Sequence, residues 1–287
     1  MTSPRITPRA LAGVVFFLAI SLSIDACKSP PDDTQPPPPP VLGSAAPASS
    51  KIAKSLPMTL TASDTFQTSS GPLYVMPIHH ASVAFRWQNK MIYVDPVTPL
   101  DPLPKADLIL ITHAHPDHLD EATLKRIETD KTVVIGPQAV ADKTHVDVIM
   151  KNGDAKNVSG IEVEAIAMYN IVHGPTPTTK FHEQGAGNGY VLTFGDKPGD
   201  PRIYLSGDTE CTPEMKALKN IDAAFLCMNL PYTMTSDEAA TCALAFKPKV
   251  VFPYHFQGKD GGTQDPQSFK NAVAKDTGIE VRVRSWY

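Results

Sequence analysis

The chain is short of several features that would have set its class. Its N-terminal apolar run, Leu11 to Ile20, falls well below the roughly 20 residues that a bilayer-spanning helix needs. Cysteine is scarce: of the four present, none forms a C-x-x-C pair, so a local thiolate zinc knuckle is excluded. There is no G-x-x-x-x-G-K-[ST] loop to cradle a nucleotide phosphate, and no internal repeat. Positive charge is not in surplus either. The formal charge is −4 over 287 residues, against the basic face expected of a nucleic-acid binder, so no nucleic-acid partner is expected.

What is present concentrates in one stretch, His113-Ala114-His115-Pro116-Asp117-His118. It places four potential metal ligands within six residues, in the pattern H-x-H-x-D-H. Imidazole nitrogen and carboxylate oxygen are the donors that hold zinc and similar divalent ions. The stretch follows Asp107 to Thr112, an apolar run that reads as a buried strand, so the ligands would start from a rigid support. Other metal-capable residues also stand just past strand-like runs. Asp208 follows Pro201 to Ser206, and His255 follows Lys249 to Tyr254. His182 precedes a glycine-rich turn and the strand Tyr190 to Phe194. Singly, an Asp after Gly is an ordinary turn residue and a His after a strand is often merely solvated. Several of them beside the six-residue cluster describe one metal centre.

These pieces resemble the metallo-β-lactamase superfamily: His113-x-His115-x-Asp117-His118, Gly207-Asp208-Thr209, Pro253-Tyr254-His255, and, as opening strands, His79-His80-Ala81-Ser82 and Ile92 to Pro96. The resemblance covers roughly residues 70 to 287 and is closest in flavour to the branch of ascorbate-6-phosphate lactonase and N-acyl phosphatidylethanolamine phospholipase D. It implies a two-metal centre. One ion would be held by His113, His115 and a third histidine, the second by Asp117, His118 and His255, with Asp208 bridging. Many members carry the third histidine where this chain has Asn170; the setting of His182 favours it for that role, with His173 in reserve. Two divalent ions, zinc first and manganese or iron compatible, would acidify a shared water as nucleophile, with Asp117 also taking its proton. Tyr232, Tyr254 and the loop Gln257 to Gly262 are candidates for the substrate side, and His80 for either the pocket or a structural role.

The N-terminus reads as an export signal. Arg5 and Arg9 precede the apolar run, and Ile24-Asp25-Ala26-Cys27 looks like a bacterial lipobox, which would make Cys27 a lipidated, membrane-anchored terminus facing the periplasm or cell surface. Loss of Arg5, Arg9 and Asp25 with the leader would bring the charge to about −5. Residues 28–57, with the run Pro36 to Pro40, have the composition of an extended tether, leaving 58–287 as one domain. Cys211, Cys227 and Cys242 read as small core residues, although one pair could bond in an oxidising compartment.

Strand-like runs come first (73–76, 83–87, 91–94) and then alternate with helical ones, among them Glu121 to Glu128 behind the cap Asp120, Pro213 to Leu218, and a capping box at Thr235 to Glu238 opening a helix through Phe246. A last helix opens at Asp265-Pro266, before a strand Glu280 to Arg284. This order fits an α/β (α+β) fold, a four-layer αββα sandwich. The expected function is a metal-dependent hydrolase of a phosphodiester, lactone or related ester, acting on a small-molecule or lipid-derived substrate. The alternatives are a β-lactamase and a non-catalytic metal-binding surface lipoprotein. A di-iron redox member is disfavoured because such members typically carry Glu where His115 stands.

Overall fold

The structure, a computed structural model, describes residues 62–97, 103–273 and 277–287. The lipobox at Cys27, the apolar run before it and the whole tether therefore lie outside the described residues.

The first half of the domain forms a seven-stranded sheet in sequence order: β1 (Asp64–Thr68), β2 (Gly71–His79), β3 (Ser82–Trp87), β4 (Lys90–Val94), β5 (Leu108–Leu110), β6 (Val133–Gly136) and β7 (Val148–Ile149). Strands β1 to β4 pair antiparallel, and β4 to β7 pair parallel through crossovers that include α1 (Glu121–Ile127) and α2 (Gln138–Ala141). The second half repeats the plan. Strands β8 (Ala155–Val158), β9 (Ile161–Met168), β10 (Gly187–Phe194) and β11 (Arg202–Leu205) pair antiparallel. They continue in parallel into β12 (Ala223–Cys227), β13 (Val250–Tyr254) and β14 (Glu280–Val281), with α3 (Pro213–Lys216), α4 (Ser236–Phe246) and α5 (Pro266–Val273) between them.

Side-chain alternation builds the layers. In the first sheet Leu73, Val83, Phe85, Ile92, Leu108 and Leu110 point into the core shared with the second sheet, where Phe85 meets Phe194 at 5.6 Å between ring centroids. Their neighbours Ala84, Tyr93, Ile109 and Ile111 point outward, under Leu124 and Ile127 of α1. A strand covered on both faces has to be apolar throughout, which is why β5 carries no alternation. On the other side, Met215, Ala240, Phe246 and Phe269 from α3, α4 and α5 pack onto the second sheet. The αββα sandwich is thus the observed architecture, and the Thr235 capping box is formed, with Thr235 accepting from Glu238 N and Glu238 from Thr235 N.

Three expectations are corrected. Cys211 and Cys242 are joined in a disulfide, so among the described residues only Cys227 is a free buried core thiol. The bond fastens the segment after Asp208 to α4. The expected last strand stops at Val281, because Arg282 and Arg284 turn to bind the Asp64 carboxylate, at 3.0 and 2.8 Å. The Pro213 helix is one turn only.

The Asp64 cluster ties the edge strand β1 to the chain's last segment. Burial raises the Asp64 pKa, but hydrogen bonds from Arg284 and Ser63 and the two guanidinium charges outweigh it and hold the carboxyl below its ordinary value. A depressed carboxylate pKa contributes stability above the unfolded value of about 3.9, lost as pH falls through the folded value. Asp64→Asn is therefore expected to cost about 2 kcal/mol at pH 7, a partly exposed network falling short of a fully buried pair. The difference from the wild type should shrink below about pH 4. Urea melts at pH 7 and pH 3.5 measure both, and an equal cost at the two values would refute the ionic origin.

Candidate metal centre

The strand ends deliver the site. His113 to His118 follow β5, Asp208 follows β11 and His255 follows β13, all at the carboxyl ends of parallel strands. The chain turns sharply at each. Gly207 has φ +60°, and a Cβ there would press on Met168 Sδ, so glycine is required before Asp208. More telling, of the five non-glycine residues with positive φ just past strand ends, three border the site: His80 (55°), Asp95 (47°) and His255 (47°). Such conformations cost of order 1–3 kcal/mol each and persist where surrounding contacts over-determine them.

All seven residues expected to hold metal come together. His113 Nε2 lies 3.1 Å from His115 Nδ1, and His182 Nε2 3.5 Å from Asp208 Oδ2. The rings of His113 and His115 each stand with centroids 5.0 Å from that of His182. In the second group His118 Nε2 is 3.2 Å from His255 Nε2, and Asp208 Oδ1 is 3.4 and 3.1 Å from those two nitrogens. Asp117 Oδ2 completes it, at 3.6 Å from His255 and 3.8 Å from His118.

These spacings suit an ion. Donors about 2.0–2.1 Å from a tetrahedral cation sit about 3.3 Å apart. Asp208 Oδ1 is buried without a hydrogen bond although two ring nitrogens are near, an orphaned acceptor that a cation would satisfy. Burial keeps His113 and His115 below the ordinary histidine pKa and pulls His182 down to about 4, so these imidazoles are neutral and offer lone pairs. Burial also pushes His118 down, but the Asp208 and Asp95 carboxylates dominate and carry it well above its usual value.

A surrounding layer of hydrogen bonds aims the donors. Asp95, fully buried, accepts from His118 Nδ1 at 2.7 Å and from the backbone and hydroxyl of Thr112, each at 2.7 Å, which turns His118 Nε2 inward. Asn170 holds His182, rather than His173, beside the cluster. Its Oδ1 accepts from both the backbone and Nδ1 of His182 at 2.8 Å, leaving His182 Nε2 free, while its Nδ2 donates to Glu210 and to the Tyr232 carbonyl. His173 instead pairs with Glu210, at 3.1 Å, and stays away from the cluster. The supporting parts played by Asp95, Thr112, Asn170 and Glu210 are not among the sequence expectations. Asp95 alone had a signal, an acid directly after a strand.

On the substrate side the outcome is mixed. Tyr254 does not reach the cleft: it is 1% exposed, packed against Phe225 and Trp286, and its hydroxyl accepts from Gly207 N. The alternation of β13 sends residue 254 into the core. Tyr232 is half-buried with its ring 5.0 Å from Phe181. Phe181 in turn lines a cavity of about 380 Å³ together with His115, His182, Ala139, Lys143 and Met168. The Gln257–Gly262 loop folds onto Leu230, where a Cβ at Gly262 would strike the Leu230 carbonyl.

A sandwich of two mixed sheets with histidines and aspartates gathered at the strand ends defines a metallo-β-lactamase-like fold. Residues 75–255 match the β-lactamase superfamily domain, and the chain belongs to that superfamily. It is 31% identical over 225 residues to a UPF0173 metal-dependent hydrolase of Caldivirga maquilingensis, covering 73% of this chain and 93% of that protein. A UPF0173 metal-dependent hydrolase of Lysinibacillus sphaericus is 31% identical over 212 residues, 68% of this chain and 89% of its own length. Among solved structures, a Parabacteroides distasonis protein superposes with a TM-score of 0.69 at 40% identity, over 79% of this chain and 99% of its own. A metallo hydrolase of Ignicoccus hospitalis shares the fold at 22% identity and a TM-score of 0.58, over 74% and 94% of the two chains.

Proposed function

We propose that this chain is a two-ion metal-dependent hydrolase acting on a phosphodiester, lactone or related ester. The observation that carries the reading is the pair of donor groups on either side of Asp208, whose Oδ2 faces His182 and whose Oδ1 faces His118 and His255. Two divalent cations there, zinc being the natural fit to imidazole and carboxylate, would supply water acidified towards neutral pH and charge to offset the developing oxyanion.

The chain's own residues do the rest. Asp117 is held well below the usual carboxylate range: burial opposes this, but the His80 hydrogen bond and the His118 and His255 rings overcome it. It therefore stays ionised. Its Oδ2 faces those rings, which leaves Oδ1 to receive a proton from the attacking water. His113, His115 and His182 form one wall of the cavity, with Met168 and Phe181 offering an apolar surface to the non-reacting part of a small substrate. Export as a lipoprotein anchored through Cys27 fits this reading. A Cys211–Cys242 bond is at home in an oxidising compartment, and a tethered domain would meet small or lipid-derived esters near a membrane.

The test is metal content of the full chain by plasma mass spectrometry, with turnover of bis(p-nitrophenyl) phosphate and of a simple lactone. About two equivalents and chelator-sensitive turnover are expected, and the preferred probe separates phosphodiesterase from lactonase. No metal after reconstitution, with neither probe turned over, would leave the reading without support.

A further inference from the structure

His80 is held from every side although it stands outside the seven-residue set. Its backbone has φ 55°, the left-handed region. Its N–H donates to the Trp286 carbonyl at 3.1 Å, and its own carbonyl accepts from His255 N at 3.3 Å. Its ring packs 3.9 Å from that of His255, centroid to centroid. Both ring nitrogens are engaged: Nδ1 lies 2.9 Å from the Tyr287 hydroxyl and Nε2 3.3 Å from Asp117 Oδ2. The Tyr287 hydroxyl accepts from Gln257 N at 3.3 Å; because the Asp117 carboxylate can only accept, His80 Nε2 carries the ring proton and Nδ1 accepts from the Tyr287 hydroxyl. That fixes the tautomer, and Nε2–H points at Asp117.

Asp117 needs such a partner. Its side chain is 47% exposed, whereas those of His118, His255 and Asp208 are at most 5% exposed. Packing therefore does little to fix the carboxylate that closes the second donor group. We propose that His80 is a positioning residue: clamped by Tyr287, it donates to Asp117 Oδ2 and fixes that carboxylate at the second ion's position. The inference rests on the two-ion reading above. His80 does not itself complete the group, because a ring nitrogen that donates a proton to Asp117 has no lone pair for a cation.

Cobalt(II) titration of the full-length metal-free chain, followed by visible absorption and calorimetry, tests this without any substrate. His80→Ala is expected to weaken the second equivalent roughly 10- to 100-fold, as loss of a partner behind a metal ligand generally does. The first equivalent should be unchanged and the absorption bands of the second shifted. His80→Gln keeps an N–H of similar reach and should restore binding to within about threefold, which a merely space-filling role would not require. Tyr287→Phe, which removes one exposed hydroxyl and threatens folding least, should reproduce the same selective loss in smaller measure. If the wild type takes up two equivalents and Tyr287→Phe and His80→Ala both match it, the positioning role is wrong while the two-ion reading stands. Equal weakening of both equivalents would also overturn it, by showing a general structural effect. A wild type that takes up fewer than two equivalents overturns the two-ion reading and this inference with it.

Discussion

Asp208→Ala should lower turnover at least about 1,000-fold and leave the protein with less than one tightly bound ion. The size of the effect follows from placement. Asp208 is 3% exposed and is the one carboxylate that faces both donor groups. Burial works against its charge, yet the nearby His255 and His118 rings hold its pKa well below the carboxylate range. In the proposed centre its removal would strip the anionic bridge and leave five imidazoles with Asp117 as the single remaining carboxylate donor. Asp208→Asn keeps the shape but not the charge, and should fail nearly as badly. Metal content together with kcat on whichever probe the wild type turns over measures both. Two retained equivalents with turnover within tenfold of wild type would remove Asp208 from the centre.

Chelation should lower the melting temperature by 10 °C or more. A ligand that binds only the folded state stabilises it by about 4 kcal/mol at a thousandfold excess over Kd. For a domain of this size each kcal/mol moves the midpoint by roughly 2–4 °C. The fold gives a reason to expect the upper part of that range. The first sheet supplies His113, His115, Asp117 and His118, and the second supplies His182, Asp208 and His255, so an ion bonded to both halves resists their separation. Calorimetric scans with and without EDTA, and again after zinc is returned, provide the measurement. A midpoint that stays within 2 °C would mean that the imidazole cluster contributes nothing to holding the halves together.

Much of this was legible because strands with a covered face announce themselves. The runs at 83–87, 91–94 and 249–254 are apolar or alternating, and each is a strand within a residue or so. The His113–His118 cluster was legible because its ligands are adjacent in sequence. Other parts depend on contacts that sequence order does not contain. Strand β1 has one apolar residue, Phe66, among its five, so its alternation leaves little to read. The Cys211–Cys242 pair is set by how α4 lies over the Asp208 segment. Asn170 and His182 are twelve residues apart and meet only because the intervening loop folds back. The misplacement of Tyr254 was avoidable. Strict alternation buries 254, and the left-handed turn at His255 redirects the next side chain to the site.

The two sheets repeat one plan, four antiparallel strands continued by three parallel ones, with no repeat visible in the residues themselves. Each sheet is also drawn from one uninterrupted span of chain, changing over between β7 and β8. A break in the backbone at that changeover would leave every strand with its own sheet-mates and divide the shared core and the donors, four on one fragment and three on the other. The pair would then be a reporter whose reassembly is governed by the concentration of free divalent ion.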